Sequence, residues 1–227
     1  MKILLVSATS LEIKPLIQAL GDGERLNSKA VRYTFNGHKI DVLTTGVGMV
    51  ATSFWLGDSF ARAHYDLAIN AGVCGSFDRS IEIGQVVQIT RDEFPEMGAE
   101  DGENFLSLID LDLLEDDDFP FSSGQIDNPE PLIDGLFGSL PAVQAVTVNK
   151  VHGNELSIAA TQKRVQPQVE SMEGAAFMYA CRIGRLNFGQ IRAVSNYVER
   201  RNRDNWELKK AVDHLNAALI TYLEQLA

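Results

Sequence analysis

Three short stretches place polar side chains where apolar runs end. Glu12 follows the run Lys2–Ser7 (KILLVS) by a few residues. A carboxylate there can face a ligand above a sheet edge, or it can complement a helix dipole from the first turn. Ser171-Met172-Glu173-Gly174-Ala175-Ala176 reads as a strand-to-helix junction. Met172 offers an apolar surface for a sugar ring, and the two acceptor oxygens of Glu173 suit a vicinal pair of hydroxyls such as those of ribose. The same pair also suits a core Met beside a dipole-complementing Glu. Val194-Ser195-Asn196-Tyr197 ends the apolar run Phe188–Val194 and turns into the polar stretch Glu199–Asp204. Asn196 carries two N–H donors and one carbonyl acceptor on one uncharged plane. We read it as the grip on a purine with oxygen at position 6, the alternative being a cap or turn residue.

Other positions carry weaker signals. Gly46-Val47-Gly48 and Gly72-Val73-Cys74-Gly75 are glycine turns after strands, where backbone can approach a ligand. Neither fits a dinucleotide fingerprint or a phosphate-binding loop. His152 follows a strand that ends at Val151 and can line a pocket or sit in a solvated loop. Arg200, Arg201 and Arg203 can hold a carboxylated substrate tail or form a solvated loop. Cys74 reads as packing. The four histidines, His38, His64, His152 and His214, lack metal-ligand spacing, so neither a metal nor a cofactor is expected.

These residues need a scaffold, and apolar periodicity supplies one. Strands are predicted at 2–7, 31–35, 39–44, 66–71, 84–90, 141–151, 169–171 and 188–194. Helices are predicted at 11–20 (capped by Thr9 or Ser10), 49–64, 155–165, 173–185 and 205–226. Asn36-Gly37 predicts a type I′ hairpin turn. Residues 91–131 are rich in Asp and Glu but hold Phe94, Phe105, Leu106, Leu108 and Leu111, which predicts an ordered acidic excursion rather than a linker. Alternating strands and helices indicate one three-layer α/β domain over residues 1–227.

Composition narrows the partners. The 227 residues are 45% hydrophobic, enough for a sizeable core. A net charge of −11 argues against nucleic acid or an anionic membrane surface as partner. No apolar run is long enough to span a bilayer, and the first one reads as a strand rather than a signal peptide. Two cysteines, Cys74 and Cys181, make no disulfide framework, so a reducing cytoplasm is expected.

An ordered set of segments resembles the nucleoside phosphorylase/nucleosidase superfamily. The set comprises Glu12, Thr45–Ala51, Asn70–Gly75, Ile83–Val87, Ser171–Ala176 and Arg192–Asn196. Residues 98–105 and Ser195–Val198 resemble the branch that acts on futalosine, a hypoxanthine nucleoside with a benzoate-bearing tail. The resemblance implies a phosphorylase/hydrolase-like fold with a central mixed, partly barrel-like sheet flanked by helices. It also implies cleavage of an N-glycosidic bond, a nucleoside substrate with water as co-substrate, and a homo-oligomer, dimeric or larger. Glu12 matches the water-activating glutamate, and Met172 and Glu173 match the ribose contacts. We accordingly expect Glu12 and Asn196 to carry the chemistry, and Met172, Glu173, Gly72, Val151 and Ser195 to bind substrate.

Two departures within the superfamily sharpen the expectation. Methylthioadenosine/S-adenosylhomocysteine nucleosidases have Asp where this chain has Asn196. A carboxyl suits adenine, which pairs an N7 acceptor with an amino donor. A neutral amide can donate to both N7 and O6 of hypoxanthine. Hexameric phosphorylases carry an Arg where this chain has Asn70, and a fixed carboxylate at Glu12 would repel phosphate. Both points favour water as nucleophile.

Overall fold

The computed structural model describes residues 1–132, 135 and 137–226. The strands in chain order are β1 (Lys2–Ser7), β2 (Glu24–Arg25), β3 (Ala30–Phe35), β4 (His38–Thr44), β5 (Leu67–Ser76) and β6 (Val86–Glu93), then β7 (Gly98–Asp101), β8 (Asn104–Ser107), β9 (Ile126–Asp127), β10 (Ala142–Thr147), β11 (Val169–Ser171) and β12 (Phe188–Tyr197). The helices are α1 (Lys14–Leu20), α2 (Met49–Arg62), α3 (Glu155–Val165), α4 (Gly174–Ile183) and α5 (Leu208–Gln225).

Among the described residues, ten strands form one mixed sheet in the order β11-β10-β6-β12-β5-β1-β4-β3-β2, with β9 added to β6. β5 runs parallel to β1 and β12, β12 antiparallel to β6, and β6 and β11 parallel to β10. β11 then returns to pair antiparallel with β5 through Val169↔Ser76 and Glu170↔Gly75. Those five strands close into a barrel, so the sheet is mixed and barrel-like as expected, and helices flank it. Strands buried on both faces explain the continuous apolar runs. In β1, Leu4 and Val6 join one hydrophobic cluster while Ile3 and Leu5 join the other. Leu56 of α2 and Phe177, Met178 and Cys181 of α4 complete the first cluster. Leu16 and Leu20 of α1 and Leu215 and Leu219 of α5 complete the second.

Several boundaries differ from expectation, each for a physical reason. The hairpin turn forms as predicted, with positive φ at Asn36 (47°) and Gly37 (78°). Helix α1 starts at Lys14 rather than Leu11, and neither Thr9 nor Ser10 caps it. A residue distant in sequence does that work: Asn216 Oδ1 of α5 accepts from Leu16 N–H at 2.9 Å. The glycine turn expected at 72–76 is instead the second half of β5. The acidic excursion opens as a continuation of β6 and holds the β7–β8 hairpin. Strand β10 stops at Thr147 instead of 151, and β12 runs on through Asn196 to Tyr197.

Candidate active site

The parallel strands β1, β4, β5 and β12 deliver their carboxyl ends to one rim, where open α/β sheets bind ligands. A cavity of about 280 Å³ opens there. Glu12, Met172, Glu173, Ser195, Asn196 and Val151 all line it. Gly72 is not among the lining residues; it stands against Glu12 and Arg192.

Glu12 sits in the turn before α1, not in the helix. Its Oε2 accepts from Thr9 N–H and Thr9 Oγ1, both at 2.9 Å, and from Ser7 Oγ at 3.3 Å. Its Oε1 accepts from Val73 N–H at 3.1 Å. Asn216 Nδ2 donates to the Glu12 carbonyl at 2.8 Å, so α5 fixes the backbone as well. The carboxylate is thereby held on the cavity wall. Gly72 makes this approach possible, since a Cβ there would stand 2.8 Å from Glu12 Oε1 and 2.4 Å from Arg192 Nη1.

Glu173, just before α4, is 6% exposed. Its Oε1 accepts from Gly48 N–H at 3.0 Å, which assigns the glycine loop before α2 to this carboxylate. Arg192 Nη1 lies 3.6 Å from Glu173 Oε2. Burial pushes the Glu173 carboxyl above its ordinary value, while the Arg192 charge and the Gly48 N–H draw it back. Arg192 is 1% exposed, and its Nη1 borders Gly72 on the same side as Glu12 Oε1. A buried polar chain backs it. Arg192 Nη2 donates to Gln190 Oε1 at 3.2 Å, and Gln190 Nε2 donates to Asp92 Oδ2 at 3.0 Å. Asp92 Oδ1 accepts from Thr147 Oγ1 at 2.9 Å, and Thr147 Oγ1 accepts from Ala175 N–H at 2.7 Å, in the first turn of α4. Burial raises the Asp92 carboxyl from 3.8 to about 6.

Asn196 projects from β12 just past an irregularity in register between Val194 and Asn196. Its Oδ1 accepts from Ser195 Oγ at 2.8 Å, and its Nδ2 donates to the Tyr197 carbonyl at 2.9 Å. That carbonyl can only accept, so it fixes which end of the amide is nitrogen. One N–H of Asn196 is thus engaged within the chain, and one remains for a ligand, fewer than the two anticipated. Cys74 lines the cavity, but burial pushes its thiol up to about 12, in keeping with packing rather than nucleophilic chemistry.

Arg192, Gln190, Asp92 and Asn216 escaped the sequence reading. A signal existed for the first two: Gln190 and Arg192 interrupt an apolar run at alternate positions, hence on one strand face, and a buried Arg demands partners. Asn216 gave none, lying on an ordinary amphipathic helix. At the cavity mouth, Trp206 lines the opening, with the Arg201 and Arg203 guanidinium groups 5.3 and 5.9 Å from its ring centroid. His152 is neither solvated nor free. Its side chain is buried and bonded to Glu170. Among the described residues, no three His, Cys, Asp or Glu side chains group as a metal site, and no helix is long and apolar enough to cross a membrane.

The chain aligns with the futalosine hydrolase of Acidothermus cellulolyticus at 28% identity, over 96% of this chain and 88% of that protein. Its fold superposes on futalosine hydrolase of Helicobacter pylori with a TM-score of 0.82 at 14% identity, covering 100% of this chain and 98% of that one. It superposes equally, at 0.82 and 15% identity, on the 5′-methylthioadenosine/S-adenosylhomocysteine nucleosidase of the same organism, covering 100% of this chain and 99% of that one. A family model described as the Phosphorylase superfamily matches residues 2–225. With the family's order of segments laid along almost its whole length, the chain belongs to the phosphorylase superfamily.

Proposed function

We propose that this chain hydrolyses the N-glycosidic bond of futalosine, releasing hypoxanthine and dehypoxanthine futalosine, a step of the alternative route to menaquinone. The observation that carries the reading is that Glu12, Glu173 and Asn196 line one cavity. The relative from Acidothermus supports the choice of substrate.

In this mechanism the glycosidic bond stretches until the ribose resembles an oxocarbenium ion. Asn196 donates its remaining N–H to the departing base. Glu173 accepts from the 2′ and 3′ hydroxyls and turns the anomeric carbon toward Glu12. Glu12 takes the proton of the attacking water. Arg192 holds the two glutamates at fixed separation and offsets their mutual repulsion. Two carboxylates around one buried guanidinium leave the site net negative, which opposes phosphate as the nucleophile. The Arg201 and Arg203 cations at the Trp206 mouth suit an aromatic, carboxylated tail. An exposed apolar face of Val50, Phe54, Met97 and Tyr179 suits a homo-oligomer, which light scattering tests.

The deciding experiment incubates the protein with futalosine and with inosine, with and without phosphate, and identifies the products. Hypoxanthine release from futalosine without phosphate is the expected result. Phosphate dependence would mean a phosphorylase, and adenine release from methylthioadenosine in preference would mean an adenosine-type nucleosidase.

A further inference from the structure

The polar layer behind the cavity has two ends, and both can only donate. At one end stands the Arg192 guanidinium, at the other the Ala175 N–H in the first turn of α4. The first end fixes the Gln190 amide. Its Oε1 must face Arg192 Nη2, so its Nε2 must face Asp92 Oδ2. The second end fixes Thr147. Its oxygen accepts from Ala175, so its hydroxyl proton goes to Asp92 Oδ1 at 2.9 Å. Glu93 N–H adds a further donor, 3.0 Å from Oδ1. Every donor in the layer thus points toward Asp92, and among the described residues no acceptor is bonded to it.

A carboxylate satisfies this arrangement, and a carboxylic acid does not. A proton on Oδ1 would meet two donors already there, so the site for it is Oδ2, and there it needs an acceptor. The Gln190 amide can supply one by rotating half a turn. Its Nε2 then faces Arg192 Nη2, donor against donor. Arg192 has little else to hold it. Its Nε is buried with no hydrogen-bond partner among the described residues, and its Nη1 lies 3.6 Å from Glu173 Oε2. The same layer seats Glu173 from behind. Gly174, which follows Glu173 and opens α4, has no room for a Cβ, which would strike Asp92 Oδ2 and the Gln190 amide.

We infer that Asp92 and Gln190 are positioning residues for the reaction. The carboxylate form of Asp92 sets the Gln190 amide, the amide aims Arg192 at Glu173, and turnover requires that form. This rests on the proposed function and deepens it by giving the buried layer a task. Neither residue touches substrate. Opposing forces bring the two forms of Asp92 within reach of each other. Burial raises its carboxyl to about 6, while Gln190, Thr147 and the Arg192 charge draw it back. The charged groups around it are Arg192 on β12, Glu93 beside it on β6 and Glu173 at the start of α4; β10 presents the neutral Thr147. Glu93 points to the other face of β6, and burial, then the Asp92 charge, raise its carboxyl to about 7. As pH falls through about 6, Asp92 takes up its proton, Arg192 loses its acceptor, and activity falls with it.

The test records kcat/KM against pH, from about 4.5 to 8.5, on the nucleoside that wild type hydrolyses. It compares wild type with Asp92→Asn, Gln190→Met and Glu93→Gln. Wild type should lose about tenfold per pH unit below a midpoint near 6. Glu93→Gln should keep that limb. Asp92→Asn copies the protonated form, because its NH2 meets a donor whichever way the amide turns. It should lose about 10- to 100-fold at roughly pH 8 and show no limb near 6. Gln190→Met cuts the link and should behave alike. An equal loss at every pH in Asp92→Asn, with the midpoint unmoved, means that Asp92 only supports the fold, and the inference is overturned. Disappearance of the limb in Glu93→Gln overturns it as well. A second measurement needs no turnover. In protein carrying nitrogen-15 arginine, the Arg192 guanidinium signal should shift with a midpoint near 6 in wild type and stay constant through that range in Gln190→Met. A wild-type signal indifferent to pH also overturns the inference. Wild type with no activity on any purine nucleoside would instead end the proposed function, and the guanidinium signal would still decide this one.

Discussion

At the level of single residues, the proposal divides labour between a carboxylate that takes a proton from water and an amide that receives the leaving purine. Glu12→Gln keeps the shape and one of the two backbone N–H contacts but cannot take up the proton of water. It should cut kcat by about 10²–10⁴-fold while calorimetry still detects substrate binding. Near-normal kcat would remove Glu12 from the mechanism. Asn196→Asp replaces the last free N–H with a lone pair, so the ratio of kcat/KM for 6-oxopurine to 6-aminopurine nucleosides should fall by about 100-fold. Glu12, Glu173 and Asn196 were legible in the sequence because each stands at the end of a recognisable apolar run. Asp92 was not, because it sits within a strand, and a carboxylate there reads as solvated until closure of the sheet encloses it. The number of donors on Asn196 was also overestimated, since the Tyr197 carbonyl engages one of them, and no pattern reports such a local contact.

At the level of elements, strands and helices were read correctly wherever the apolar period was clean, as in β1, α3 and the β3–β4 hairpin. Errors cluster where small residues serve tertiary space. Gly72 and Gly75 look like a turn in sequence, yet they continue β5, because side chains from β12, β11 and the loop before α1 occupy the room a Cβ would need. The start of α1 was misplaced because its cap comes from α5. Helix α2 shows how packing bears on the site. It docks against α4 through Leu56, which is fully buried, and the loop before it supplies the Gly48 N–H to Glu173. Leu56→Ala should cost about 2–5 kcal/mol in urea unfolding. It should also raise KM for nucleosides, since the Gly48 contact loses its support. Unchanged stability would mean that α2 is not anchored there.

Across the whole molecule, the buried Asp92 chain links the site to overall stability. Its carboxyl rises from 3.8 to about 6 on burial, so the folded chain binds that proton more tightly than the unfolded chain. Folding then takes up a proton between those values, and stability from this group falls as pH rises through the window. Comparing wild type with Asp92→Asn isolates it: the stability of wild type relative to the variant should drop by up to about 3 kcal/mol between pH 4 and pH 7.5 in urea titrations. A difference that grows with pH would contradict the assigned environment. The closure of the barrel has a last consequence. Strand β11 is three residues long, and two pairings with β5 seal the ring. The partners come from distant parts of the chain, and such pairings wait on slow loop closure. A refolding chain can gain much of its helix before the ring seals, and until then the cavity wall is incomplete. Capture of free purine by a refolding sample would accordingly clock the sealing event itself, arriving late and all at once, after circular dichroism has largely levelled off.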